Sequence, residues 1–190
     1  CLRRTYGRFG LYLLAAIAMT ALLTQLQYPF PAFVLALCLV GVSPFHKWLV
    51  ESYSTSSSLT VLSSFVALMY LNTYREAYGS VAPLLLLFCP TMMLVGLFKG
   101  GICNSISEAY TALHQMVFGL LGLLASTNEL VGLFDYLLVP CALSLFVIYH
   151  VHNYLSDAVK GQNILDFGGL SKRLKLEAAC TFAAYVMLFG

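Results

Sequence analysis

Few ionisable side chains interrupt the long apolar segments of this sequence, and each of them is a candidate for proton or ion chemistry. Burial of a titratable side chain in the membrane costs free energy, so the few that occur there usually have a function. His114 and Glu108 share the segment SISEAYTALHQMVFG. His114 can titrate near neutral pH, which makes it a candidate proton relay, or it can simply hydrogen-bond a neighbouring helix. The two residues lie about 120° apart on a helix, so their side chains cannot stack.

Three further candidates for a proton path lie near predicted helix ends. His46 and Glu51 belong to the segment GVSPFHKWLVES, and Lys99 follows a long apolar run. Lys47 and Glu51 are four residues apart, so an interfacial ion pair is the simpler interpretation of Glu51. The candidate set is therefore His114, Glu108, Lys99, His46 and Glu51.

Metal, cofactor and catalytic chemistry have weaker support in the sequence. His150 and His152 are two positions apart, so on a helix they point away from each other and are poor joint ligands. Glu129 and Asp135 flank the start of an apolar run, near the expected headgroups. The six cysteines form no CxxC motif, and no GxGxxG motif is present. We therefore predict no catalytic residue, cofactor or metal on this chain alone.

The composition indicates that the chain lies in a membrane. It is 60% hydrophobic and only 9% charged, with a mean hydropathy of +0.84. A soluble domain carries about 25% charged residues, so this chain cannot solvate a globular surface. A net charge of +2 without a basic and aromatic stripe argues against nucleic acid and leaves lipids as the surroundings. We predict one all-α transmembrane domain over residues 1–190.

The hydrophobic segments predict six to seven transmembrane helices. A span needs about 20 apolar residues, and backbone groups in lipid must be hydrogen-bonded internally. The seven candidates are Phe9–Leu26, Phe30–Trp48, Leu59–Asn72 (with an earlier start in the serine run), Val81–Phe98, Ser105–Ala125, Leu130–Tyr154 and a short one from Lys175. The longest polar stretch, residues 153–175, is predicted to be a loop.

The charges and prolines refine this topology. With seven spans, Arg75 is the only one of the ten Lys and Arg residues that falls opposite the N-terminal side. The positive-inside rule then places the N-terminus in the cytoplasm or matrix. Pro44, after Gly41, is a candidate helix break, and Pro90 is interpreted as an ordinary kink.

Three segments resemble the antiporter-like membrane subunits of respiratory complex I, most closely subunit 2 of NADH:ubiquinone oxidoreductase. Gly41–Ser52 contains the PFHxW pattern of that family, with Glu51 in place of its acidic residue. Ser107–Met116 (SEAYTALHQM) is similar to a family helix start, although His114 is one position early. Asp166–Gly190 matches a Gly-Leu-x-Lys stretch without its proline. The order and spacing of the segments also agree with the family.

The residues that would carry protons in that family are absent from this sequence. The resemblance implies one buried lysine where Leu39 stands and another, by ungapped count, where Met69 stands. A third lysine would lie beyond Gly190, and the family glutamate would lie before Cys1. The chain is thus expected to be a fragment of a split subunit, a copy with a degraded proton path, or both.

The resemblance implies a multi-pass subunit of the mitochondrial inner membrane, in the membrane arm of a respiratory complex that couples electron transport to proton transport. Its partners would be other membrane-arm subunits and, for a split subunit, a second fragment. Two alternatives remain open: a purely structural subunit or assembly factor, and an unrelated secondary transporter. A transporter would show internal repeats and a polar cluster at the midplane.

Overall fold

The computed structural model describes the backbone of residues 2–42, 48–49, 57–73, 82–127, 131–159 and 175–189. Within these ranges the regular structure is helical, which confirms the prediction of an all-α chain. The helices are α1 (Leu2–Gln25), α2 (Pro29–Val40), α3 (Ser57–Thr73), α4 (Ala82–Ile102), α5 (Ile106–Ser126), α6 (Val131–Val159) and α7 (Lys175–Phe189).

Three of these helices are long and apolar enough to cross a membrane. The qualifying segments are Pro83–Ile102 in α4, Ile106–Ser126 in α5 and Gly132–Val151 in α6. They correspond to the predicted spans four, five and six. The apolar parts of α1, α2 and α3 are shorter, and α7 has 15 residues. The structure thus supports three of the six to seven predicted spans.

Two helix ends in the structure differ from the predicted boundaries. The second span was expected to continue to Trp48, but α2 ends at Val40 and is about 18 Å long, too short to cross hydrocarbon alone. The loop predicted from residue 153 begins later, because α6 continues to Val159. No glycine or proline interrupts the sequence between Pro140 and Gly161, so nothing in the backbone ends the helix sooner. Residues 160–174 lie outside the described part.

Helices α4 and α5 pack in close backbone contact because glycines line their interface. A Cβ atom on Gly96 would lie 2.7 Å from the Ala112 carbonyl oxygen. On the other helix, a Cβ on Gly119 would lie 2.9 Å from the Cys89 carbonyl oxygen. Small residues allow backbones to approach in this way in membrane helix pairs, where dispersion replaces the hydrophobic effect. The continuous helix through Pro90 is part of this pair.

Helix α5 is largely buried inside the bundle. It contacts α3, α4 and α6, and most of its residues from Tyr110 to Ala125 are buried. Phe118 meets Phe65 of α3 edge to face at a centroid distance of 5.0 Å. Tyr149 of α6 packs on Tyr110 at 4.8 Å and donates a hydrogen bond of 3.3 Å to its carbonyl oxygen. A side chain on α5 can therefore reach several other helices.

Candidate functional site

The C-terminal end of α2 lies inside the protein. Gly41 has a φ of 79°, in the left-handed region that glycine tolerates. Its N–H donates to the carbonyl oxygens of Leu37 and Cys38, both at 3.1 Å, and the N–H of Val42 donates to that of Leu37 at 3.1 Å. This is a Schellman motif, which ends the helix and satisfies two of its last carbonyls. The last helical carbonyls still need donors from elsewhere.

Two side chains from other helices supply donors to the last two carbonyls of α2. The Ser64 hydroxyl, on α3, donates to the Leu39 carbonyl oxygen at 2.9 Å. His114 Nε2, on α5, lies 2.9 Å from the Val40 carbonyl oxygen. Because a carbonyl only accepts, the Nε2 atom carries the proton that is donated. Both side chains are fully buried, so these bonds stabilise a helix end that water cannot reach.

A third side chain closes the same end from the segment that follows it. The Trp48 indole Nε1 donates to the Cys38 carbonyl oxygen at 2.9 Å. The next residue, Leu49, is fully buried and packs so close to Gly41 that any Cβ there would overlap its side chain. Trp48 and Leu49 therefore both lie against the end of α2.

The two helices that supply Ser64 and His114 each carry further buried polar side chains on the same face. Each set follows the i, i+3, i+4 spacing of one helix face. We call the set the polar core: Thr60, Ser63 and Ser64 on α3, and Thr111, His114 and Gln115 on α5, all at most 3% exposed. Buried polar side chains are concentrated here, whereas most of the other buried side chains of the described helices are apolar. The polar core is therefore the candidate functional site.

Hydroxyl groups of the polar core also bond within their own helices. Ser63 donates to the Thr60 carbonyl oxygen at 2.9 Å, and Thr111 donates to that of Ser107 at 2.8 Å. Gln115 differs, because neither its amide nitrogen nor its amide oxygen has a hydrogen-bond partner among the described residues. Within the polar core, the Gln115 amide is thus the group whose donor and acceptor atoms both lack a partner among the described residues.

His114 is held from two sides. Besides its bond to Val40, its ring stacks on Phe118 at a centroid distance of 4.1 Å and an interplanar angle of 19°. The hydrogen bond to a neighbouring helix, one of the two sequence interpretations, is therefore observed. The arrangement fixes the ring and ties α5 to α2. Proton transfer through His114 stays a prediction.

Glu108 and Lys99 lie together but away from His114. Glu108 is exposed at the start of α5, where it completes a capping box with Ser105. Lys99 is half-buried near the end of α4, and both side chains line one cavity. Since Glu108 faces the surface and His114 is buried, the structure groups Lys99 with Glu108 and leaves His114 in the polar core.

The other sequence candidates lie outside the described residues or on the surface. His46, Lys47, Glu51 and Glu129 lie outside the described residues, as does the side chain of His152. Asp135 is exposed, and His150 is exposed with its ring parallel to Phe146 at a centroid distance of 6.0 Å. In the described ranges, no group of three His, Cys, Asp or Glu side chains could hold a metal ion.

The two positions where the resemblance implies lysines differ in exposure. Leu39 is 5% exposed and packs in the core, whereas Met69 is 53% exposed on the outer face of α3. Met69 lines an apolar groove of about 570 Å³ between α3 and α6. A lysine would therefore be buried at the first position and would face that groove at the second.

Sequence reasoning missed Ser64 and Gln115 as parts of the site. The signal was available, because Thr60, Ser63 and Ser64 share one face of an otherwise apolar helix, as do Thr111, His114 and Gln115. Two polar stripes in two apolar helices indicate that the helices meet along them. Attention to charged groups alone overlooked this pattern.

No protein-family model matches the sequence, and no curated protein or solved structure is significantly similar to it. The relation to complex I therefore rests on the three sequence segments described above.

Proposed function

We propose that this chain is a membrane-arm subunit of NADH:ubiquinone oxidoreductase, similar to subunit 2, in the mitochondrial inner membrane. Its role there is to hold the helices of the arm together around the buried end of α2. The observation that carries the proposal is the meeting of two of the resembling segments at one point. Trp48, from the first segment, and His114, from the second, bond two carbonyl oxygens in the last turn of the same helix, those of Cys38 and Val40.

The meeting is informative because the two segments are far apart in the sequence. His114 and Val40 are 74 residues apart, yet their atoms lie 2.9 Å from each other. A helix can end at membrane depth only where protein surrounds the break and satisfies its carbonyls. In transporters, such interrupted helices line ion paths. In this chain, the buried end of α2 directly precedes Gly41–Ser52, the segment that resembles the complex I subunits, and this position supports the proposal.

A supporting role fits the side chains better than proton conduction by this chain alone. Leu39 and Met69 stand where the resemblance implies lysines, and neither can titrate. Among the described residues of the polar core, His114 is the one side chain that can titrate, and it bonds a backbone carbonyl. This observation equally favours the second candidate, a structural membrane subunit or assembly factor outside complex I.

Native electrophoresis distinguishes these two candidates. Membranes dissolved in mild detergent are separated, and the band with NADH dehydrogenase activity is identified by mass spectrometry. We expect this chain in that band, together with any fragment that carries the missing lysines. Migration in another band, with the active band otherwise complete, would overturn the assignment to complex I.

Substitution of His114 separates a structural role from a proton relay. Glutamine places an amide N–H close to the position of the histidine Nε2, so it can still donate to the Val40 carbonyl but cannot carry a proton. We expect His114→Gln to assemble normally and to pump as many protons per NADH as the unsubstituted complex. His114→Ala removes the donor and should reduce assembly. A fully assembled His114→Gln complex with reduced pumping would instead assign proton transfer to His114.

A further inference from the structure

A cavity opens where α4 ends and α5 begins. Its volume is about 360 Å³. Its lining combines charged, polar and apolar side chains: Lys99, Ile102, Cys103, Asn104, Glu108 and Thr111. The apolar groove between α3 and α6 has no charged residue in its lining. The cavity at the α4–α5 turn therefore suits a ligand with both polar and apolar parts.

The cavity presents one positive and one negative group. The Lys99 ammonium comes from the last turn of α4, and the Glu108 carboxylate comes from the first turn of α5. Both side chains line the cavity, and the two charges are close enough to interact electrostatically. A ligand that carries an anion and a cation a few bonds apart can pair with both groups at once.

The Glu108 carboxylate has a fixed position. Its Oε2 atom accepts from the N–H of Asn104 at 3.3 Å and from that of Ser105 at 3.4 Å. The Glu108 N–H in turn donates to the Ser105 hydroxyl at 3.3 Å. Those two bonds use Oε2, so Oε1 can accept from a ligand. A pre-positioned acceptor loses little side-chain entropy on binding.

The position of the cavity along the helices matches the depth of lipid headgroups. The apolar segment of α4 ends at Ile102, and that of α5 begins at Ile106. Phe98 is 71% exposed and Ile102 is 78% exposed, so an apolar surface continues from the cavity along the outside of the bundle. In a bilayer, this surface faces acyl chains while the cavity lies at the headgroup level.

We propose that this cavity binds the headgroup of an aminophospholipid such as phosphatidylethanolamine. Lys99 pairs with the lipid phosphate, Glu108 accepts hydrogen bonds from the lipid ammonium, and Phe98 and Ile102 contact an acyl chain. The inference rests on insertion in a membrane, which is one part of the proposed function, and is independent of the assignment to complex I.

Native mass spectrometry of the full chain in detergent tests the proposal. Phosphatidylethanolamine, phosphatidylcholine and phosphatidylglycerol with identical acyl chains are added separately, and free phosphoethanolamine is added in a fourth experiment. We expect phosphatidylethanolamine to be retained about two- to fivefold better than the other two lipids, the range for one partly exposed charge pair. Free phosphoethanolamine should bind more weakly, because it lacks the acyl chain.

Three variants assign the preference to the two charged groups. Lys99→Gln should weaken binding of all three lipids, because each carries a phosphate. Glu108→Gln should remove the preference for phosphatidylethanolamine over phosphatidylglycerol while keeping helix α5 intact, since glutamine also completes a capping box. Lys175→Gln, at an exposed lysine that starts α7, is the matched control and should change nothing.

Other outcomes overturn the proposal in distinguishable ways. Equal retention of the three lipids would show that headgroups are not recognised here. Undiminished lipid binding in Lys99→Gln, or an unchanged preference for phosphatidylethanolamine in Glu108→Gln, would show the same. Binding of free phosphoethanolamine as tightly as of the lipid would identify a soluble ligand instead. A chain that binds no phospholipid and stays in solution without detergent would also refute its membrane location, and with it the proposed function.

Discussion

Removal of the Ser64 hydroxyl should destabilise the protein much more than removal of its neighbour's. Ser64 donates across to the Leu39 carbonyl at the end of α2, whereas Ser63 donates to the Thr60 carbonyl within its own helix. Both side chains are buried, at 0% and 3% exposure. Both Ser→Ala changes delete the same atom from the same helix, so the change in helix propensity is the same in both.

The difference between the two variants comes from the carbonyl that each leaves behind. In Ser64→Ala, the Leu39 carbonyl loses its donor in a dry environment, which costs about 1–3 kcal/mol. In Ser63→Ala, the Thr60 carbonyl keeps its place in the helical ladder, so the cost should be below about 0.5 kcal/mol. For a chain of this size, the Ser64 change corresponds to a decrease in melting temperature of roughly 2–12 °C.

Thermal unfolding of the purified protein in one detergent measures both variants. Tryptophan fluorescence is a suitable signal, because the single tryptophan, Trp48, itself bonds the end of α2. We expect Ser64→Ala to melt clearly below Ser63→Ala, which should stay close to the unsubstituted protein. Equal melting temperatures for the two variants would refute the argument that side chains of other helices stabilise this helix end.

Two further predictions concern α4 and α5. Gly119→Ala places a Cβ atom 2.9 Å from the Cys89 carbonyl oxygen and should destabilise the protein by about 1–3 kcal/mol. Gly101→Ala is the control: its Cβ atom would meet no other atom within 4 Å, so the change should be neutral or stabilising. Comparable melting temperatures would show that α4 and α5 can separate slightly at no cost. Ser105→Ala removes the helix cap and should cost about 0.5–2 kcal/mol, whereas Glu108→Gln keeps the capping box and should cost less in the same unfolding assay; the reverse order would contradict the observed cap.

The sequence predicts the starts of the three long helices closely but does not predict where α2 ends. The predicted ranges for α4, α5 and α6 agree with the structure at their N-terminal ends within about one residue, because apolar runs of about 20 residues have one physical solution in a bilayer. The predicted second span continues through Gly41, because hydropathy is averaged over many residues. Such an average does not detect a single residue in a left-handed conformation. Pro44 is a candidate helix break in the sequence, and the structure ends α2 before it, at Val40.

The candidate site was predicted in part. His114 was identified from its depth in an apolar helix, and the distance between the faces of His114 and Glu108 followed from helix geometry. Ser64 could not be paired with Leu39 from the sequence, because that contact depends on how α2 and α3 pack. The grouping of Lys99 with Glu108 likewise depends on the turn between α4 and α5, which brings together two residues nine positions apart.

The bonds at the end of α2 also constrain the order in which the chain can mature. During synthesis, Val40 is made 74 residues before His114, which donates to its carbonyl oxygen. Leu39 is made 25 residues before its donor, Ser64. A helix of 12 residues whose last carbonyl groups lack hydrogen-bond donors is unstable on its own in lipid. The end of α2 therefore acquires its full set of hydrogen bonds only after α5 has been made, so the final position of this early helix is fixed late in synthesis.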